Sequence, residues 1–133
     1  DMKKTVWLDR STCHPLPFYC LAQSEAEFHA ALKHLKLPLQ EYPRWGTSDA
    51  TSHFLTNEKG GLCCIVALRN TKGRTPLEVY GLLVHEAVHI WQEYCDSIGE
   101  KKPSSEFEAY TIQWIAQQLI EQFMLASKKK TGV

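Results

Sequence analysis

The 133-residue chain has no charge excess of either sign: Lys+Arg and Asp+Glu number 15 each, for a formal net charge of +0. A strongly basic nucleic-acid binder and an acidic disordered tail are therefore excluded as its main identity. It has no uninterrupted apolar run of about 18 residues, so no membrane-spanning helix is expected. The two lysines near the N-terminus are not followed by the apolar stretch of a signal peptide, so a cytoplasmic protein is expected. There is no CxxC pair, which argues against a zinc ribbon or a thioredoxin-type site. The cysteine count is odd at 5. Cys13, Cys20, Cys63, Cys64 and Cys95 cannot all pair within one chain and read as reduced thiols, Cys63 and Cys64 as small buried hydrophobes. No repeat breaks up the chain, and 133 residues suffice for one core.

The pattern predicts an α+β domain: a small antiparallel hairpin packed on three main helices. Lys3–Leu8 reads as a short strand. Ser11–Cys20, with Pro15 and Pro17, reads as an extended loop. Ser24–Leu35 reads as a helix, with a Ser24/Glu27 capping box and an apolar stripe through Phe28, Leu32 and Leu35. Thr51–Thr56 and Leu62–Leu68 read as strands around the turn Asn57–Gly61, the second apolar enough to be covered on both faces. Thr75 then caps a long helix with Pro76 at its first position and Gly99 at its end. A last helix starts at Ser104 or Ser105. Residues 1–127 are expected to form the domain, and 128–133, with Lys128 to Lys130, a flexible basic tail.

Chemistry enters at His85-Glu86-Ala87-Val88-His89, an HExxH pattern. Residues i and i+4 share one helical face, so both imidazoles can hold one zinc ion. The intervening glutamate can then serve as general base toward a zinc-activated water. The motif sits inside the apolar stretch YGLLVHEAVHIW, which predicts burial on most sides. Buried histidines and a buried glutamate need partners, and zinc would supply them.

Zinc needs a third protein ligand. Gln92 stands where an HExxHxxGxxH pattern has glycine, so the helix continues. Cys95 then lies about 240° round from His89 and is disfavoured, as is Asp96. Glu106 and Glu108 remain. The segment from Gly99 to Ser104 is long enough to return the chain to the level of His89. Ser105 and Glu108 match a capping box, which would occupy Glu108. Glu106 shares a face with Ala109 and is favoured, with Glu108 the alternative.

With these residues in view, the chain resembles the gluzincin-type zinc metallopeptidases, in the minimal form called minigluzincins. In that clan HExxH on an active-site helix is joined by a glutamate on the next helix, often followed by Ala at +3 and Asp at +4. Glu106-Phe107-Glu108-Ala109-Tyr110 fits, except that Tyr110 stands where Asp is usual. A branch with eighteen residues between the second histidine and the glutamate would select Glu108 instead. The resemblance covers about residues 50 to 120. It implies a minimal zincin-like fold and a zinc metallopeptidase with His85, His89 and Glu106 as metal ligands and Glu86 as general base. It also implies an extended peptide or protein substrate added to an edge strand, either Thr51–Thr56 or Leu62–Leu68, with no nucleic-acid or membrane partner. The small size is similar to that of metallopeptidases encoded by bacteriophages and prophages, which would place the protein in a bacterial host cytoplasm. The second hypothesis is a catalytically inactive, zinc-stabilised protein-binding module. His53, Tyr80, Tyr94 and Tyr110 are candidate oxyanion donors, and Glu93 a candidate supporting residue. Trp91, Trp114 and Phe123 are read as core.

Overall fold

The computed structural model describes residues 4–9, 14–42, 49–69 and 71–130. It is an α+β arrangement of β1 (Phe18–Ala22), α1 (Glu25–His34), β2 (Ala50–Thr56), β3 (Leu62–Leu68), α2 (Pro76–Ile98) and α3 (Ser105–Lys130). The strands form one three-stranded sheet in the order β1-β3-β2. β2 pairs antiparallel with β3, setting His53 opposite Ile65, and β1 pairs parallel with β3, setting Cys20 opposite Ile65.

β3 is central, and Cys63 through Leu68 are all buried. Successive strand side chains point to opposite faces, so each face needs its own cover. On one face Ile65 and Ala67 pack with Phe28 and Leu32 of α1. On the other, Cys64, Val66 and Leu68 pack with Val79, Leu83, Ala87 and Ile90 of α2 and with Ile115 and Leu119 of α3. The sheet is thus a middle layer between α1 and the α2–α3 pair.

The helix ends follow their sequence signals. Ser24 caps α1 through Glu27 N–H. Thr75 and Glu78 form a full capping box at α2, and Gly99 closes that helix at φ 72 in the left-handed region. Arg74 pairs with Asp49 just before β2 and reaches Glu78 at 3.6 Å, tying the start of α2 to the sheet. α1 ends differently. Lys36 adopts φ 57, where a Cβ is strained, so that Leu37 N–H can return to the carbonyl of Leu32.

Three expectations change. The segment expected as a strand at Lys3–Leu8 is coil over its described part, with Val6, Trp7 and Leu8 each more than 80% exposed and no strand paired with it among the described residues. The stretch expected as loop to Cys20 contains the start of β1. Its partner is β3, far along the chain, so local turn signals could not show it. The tail expected from Lys128 is still helical to Lys130; residues 131–133 lie outside the described set. Among the described residues, no helix is long and apolar enough to cross a membrane.

Two substitutions test this account by urea unfolding. Leu83→Ala empties a fully buried position between sheet and α2 and should cost about 2–5 kcal/mol. Lys36→Gly relieves the left-handed position and should add about 0.5–1 kcal/mol.

Candidate metal and catalytic site

α2 carries HExxH with its three functional side chains in two settings. Val79, Leu83 and Ile90 hold one side of the helix against the sheet. Glu86 lies at the margin of that side and is only 4% exposed. His85 and His89 lie further round and are exposed. The expectation that all three would be buried is therefore corrected: an amphipathic helix buries one side, and here the boundary runs between the histidines and the glutamate.

The two imidazoles converge, with their Nε2 atoms 3.1 Å apart and ring centroids 4.7 Å apart. Nδ1 of His89 lies 3.3 Å from Oε1 of Gln92; a hydrogen on Nδ1 would donate to that oxygen and leave Nε2 with a lone pair. Gln92 thus sits against a histidine ring, in a helix that continues past it to Ile98.

Glu86 reaches the sheet. Ser52 Oγ donates to Glu86 Oε2 at 2.5 Å. Ser52 sits on β2 with its side chain on the α2 side, alternating with Ala50 and Phe54, which join the same core. Below it, burial pushes the Cys64 thiol well above its ordinary range, partly offset by a hydrogen bond with Ser52. Sequence reading missed Ser52. The signal was there: Ala50, Ser52 and Phe54 form the alternating core side of a strand, and a polar residue on such a side needs a partner.

The helix that was to bring a third ligand packs on the opposite side. Trp91 makes the contact between α2 and the start of α3: its Nε1 donates to Glu108 Oε2 at 3.0 Å, and its ring lies edge-on to Phe107 at 4.9 Å. Trp91 is two residues beyond His89, about 200° round the helix. Glu108 therefore faces α2 but away from the histidine pair, and Trp91 holds it. Ser104, not Ser105, caps α3 through Phe107 N–H, so the capping box expected for Glu108 is not formed. Glu106 is exposed and lies about 180° from buried Ile115 on the same helix. Among the described residues, no three His, Cys, Asp or Glu side chains gather into a metal-binding group.

The donor set fits zinc in part. Two nitrogens each about 2.0–2.1 Å from one tetrahedral zinc stand about 3.3–3.4 Å apart, close to the observed separation. Two of three expected donors are thus gathered, and Glu106 is not beside them.

The other candidates separate by strand face and helix side. His53 points to the α1 side of β2, its ring 5.3 Å from Phe28, away from Glu86's side of the sheet. Burial first, and then the Arg69 cation, hold its imidazole below the ordinary histidine range, with Glu86 pulling the other way. Tyr94 donates to the His14 carbonyl at 2.6 Å, and Tyr80 stacks edge-on with Phe123. Tyr110 is exposed on α3. Cys95 is buried beside Trp91 and Tyr94. Of the aromatics read as core, Trp91 is buried, Phe123 partly buried and Trp114 57% exposed. β3 is central, so of the two strands named for peptide addition only β2 has an edge to offer.

Ser52→Ala should leave a buried carboxylate oxygen without its donor and cost about 1–3 kcal/mol in urea unfolding. A double-mutant cycle with Glu86→Gln should return a coupling above about 0.5 kcal/mol. His53 sets a pH dependence. Its folded pKa lies below its unfolded one, so on acidification the unfolded chain takes the proton first. Stability should fall as pH drops below about 6.5, and the slope should flatten in His53→Gln.

Set against known proteins, the chain matches no family model, no curated protein and no solved structure.

Proposed function

We propose that the chain is a zinc-dependent metallopeptidase of the gluzincin type, in which His85 and His89 hold the metal and Glu86 is the general base. One observation carries this reading: two imidazole Nε2 atoms 3.1 Å apart on one helix, beside a buried glutamate that reaches an antiparallel edge strand. A paired i, i+4 histidine set alone would suit many metal sites. A buried carboxylate next to the first histidine in sequence, hydrogen-bonded to a side chain of an edge strand, suits hydrolysis of an extended peptide.

A bound zinc ion would supply Lewis acidity, lowering the pKa of a water molecule and polarising a carbonyl. The protein's own groups do the rest. Ser52 fixes one oxygen of Glu86, which leaves Oε1 to accept a proton. The backbone of β2, with β3 on one side only, offers hydrogen-bonding groups to an added peptide strand. Gln92 holds the ring of His89. Glu106 remains the proposed third ligand on the resemblance; to serve, it would have to come round from the far side of α3, and Glu108 would have to release Trp91.

A second reading, a zinc-stabilised protein-binding module, is favoured by one feature. The histidine pair is exposed, so a zinc held there could take its remaining donors from a partner.

Metal analysis and hydrolysis of an unstructured protein such as casein test both readings. The purified protein should bind one zinc, and His85→Ala or His89→Ala should weaken binding at least about tenfold. Glu86→Gln should keep the metal and lose at least about 100-fold in cleavage. Glu106→Ala and Glu108→Ala, compared for zinc affinity, identify the third ligand. Zinc bound with no Glu86-dependent cleavage would favour the binding module, and no bound zinc would end both readings.

A further inference from the structure

α3 buries one side and leaves an apolar stripe on the other. Ile115, Ala116 and Leu119 are in the core, while Phe107, Tyr110 and Trp114 are 42%, 66% and 57% exposed. The exposed residues are ordered. Phe107, Tyr110, Trp114, Gln117, Glu121 and Met124 recur at alternating steps of three and four, which aligns them along one seam of the helix. Leu125, 45% exposed, flanks the seam beside Met124. Core packing fixes the other side of the helix, so Tyr110 and Trp114 are held outward on a rigid surface, with Phe107 at its margin, where its ring also meets Trp91.

Charge along the same helix is polarised. Its first turn carries Glu106 and Glu108, and its last turns carry Lys128 and Lys129. Glu108 bonds Trp91, which leaves Glu106 as the outward acidic group of the first turn; Glu121 lies further along the seam. A helix that is acidic at its first turn, basic at its last and mainly apolar between, with Gln117 and Glu121 interrupting the stripe, is complementary to itself at its ends in the antiparallel sense. With a two-fold axis near Ala116, Phe107 of one copy meets Leu125 of the other, and Glu106 meets the Lys128–Lys129 end. Parallel pairing would set like charges together at both ends.

We infer that the outer seam of α3 is a self-association surface, joining two copies of this chain through antiparallel α3 helices. Covering Phe107, Tyr110, Trp114, Met124 and Leu125 on both copies would bury on the order of 1,000 Å², about the threshold for a specific interface. The contact is isologous and closes at two copies. It leaves the histidine pair on α2 uncovered, since that pair points away from α3, and it does not depend on the function proposed above.

Sedimentation velocity on the full chain tests this, run with a chelator so that any metal role of Glu106 does not enter. From about 1 to about 100 µM the protein should pass from monomer to dimer. Trp114→Glu should raise the dissociation constant about 100-fold or more. Glu106→Lys and Lys129→Glu should each raise it several-fold, and the two together in one chain should return it toward the original value. Circular dichroism checks folding; if Trp114→Glu does not fold, Tyr110→Glu takes its place. A wild-type chain that stays monomeric at about 100 µM overturns the inference. So does a dimer unmoved by the seam substitution, or assembly that continues beyond two. Charge reversals that do not rescue each other overturn the antiparallel arrangement.

Discussion

The two-sided burial of β3 is the constraint from which the remaining layers follow. Six consecutive buried residues cannot be covered by one helix, because alternate side chains leave on opposite faces. α1 covers one face, and α2 with α3 covers the other. α2 is held by Val79, Leu83 and Ile90, and this clamp decides which of its residues meet the sheet and which meet water. Glu86 falls on the inner margin under β2, and His85 and His89 fall outside it. The division between a buried base and exposed ligands follows from where a 3.6-residue period crosses the edge of a three-stranded sheet.

Ser52 shows how that edge takes part. It belongs to β2 by register, to the core by its side, and to the site by its hydroxyl. A small hydroxylated residue admits the carboxylate between strand and helix where Phe54, two positions on, would fill the space. Cys64 beneath it is another small residue. Two small side chains opposite one glutamate make room for a buried anion, and the Ser52 hydroxyl offsets part of the cost of burying it.

The helices were legible because their signals are local. Ser24, Thr75 with Glu78 and Pro76, and Gly99 each act within a turn of their own helix and cap it as read, except that the Glu27 carboxylate accepts from Gln23 N–H rather than closing the capping box on Ser24. The β2–β3 hairpin was legible for the same reason. β1 was not, since its partner is 45 residues further on, Phe18 against Cys63. Within the site, the convergence of His85 and His89 needed only helical spacing. The position of α3 relative to α2 did not: the Trp91–Glu108 hydrogen bond and the Phe107 ring contact are tertiary, and they set Glu108 inward and Glu106 outward. Ser105 resembled a cap as well as Ser104 does, and the choice between them shifts by one residue the role available to Glu108.

The parallel pairing of β1 with β3 is also the strand pairing of widest sequence separation in the sheet. The β2–β3 hairpin closes over a five-residue turn, and α2 and α3 follow as a helical hairpin, so the part of the molecule bearing the histidine pair is made of contacts between near neighbours in sequence. β1 must search across α1 and β2 to find its place, and the loop entropy of that search is spent before any contact rewards it. Without β1 in place, β3 has one edge unpaired. An unpaired edge on so apolar a strand is the kind of surface to which strands of other molecules add, and β1 covers it.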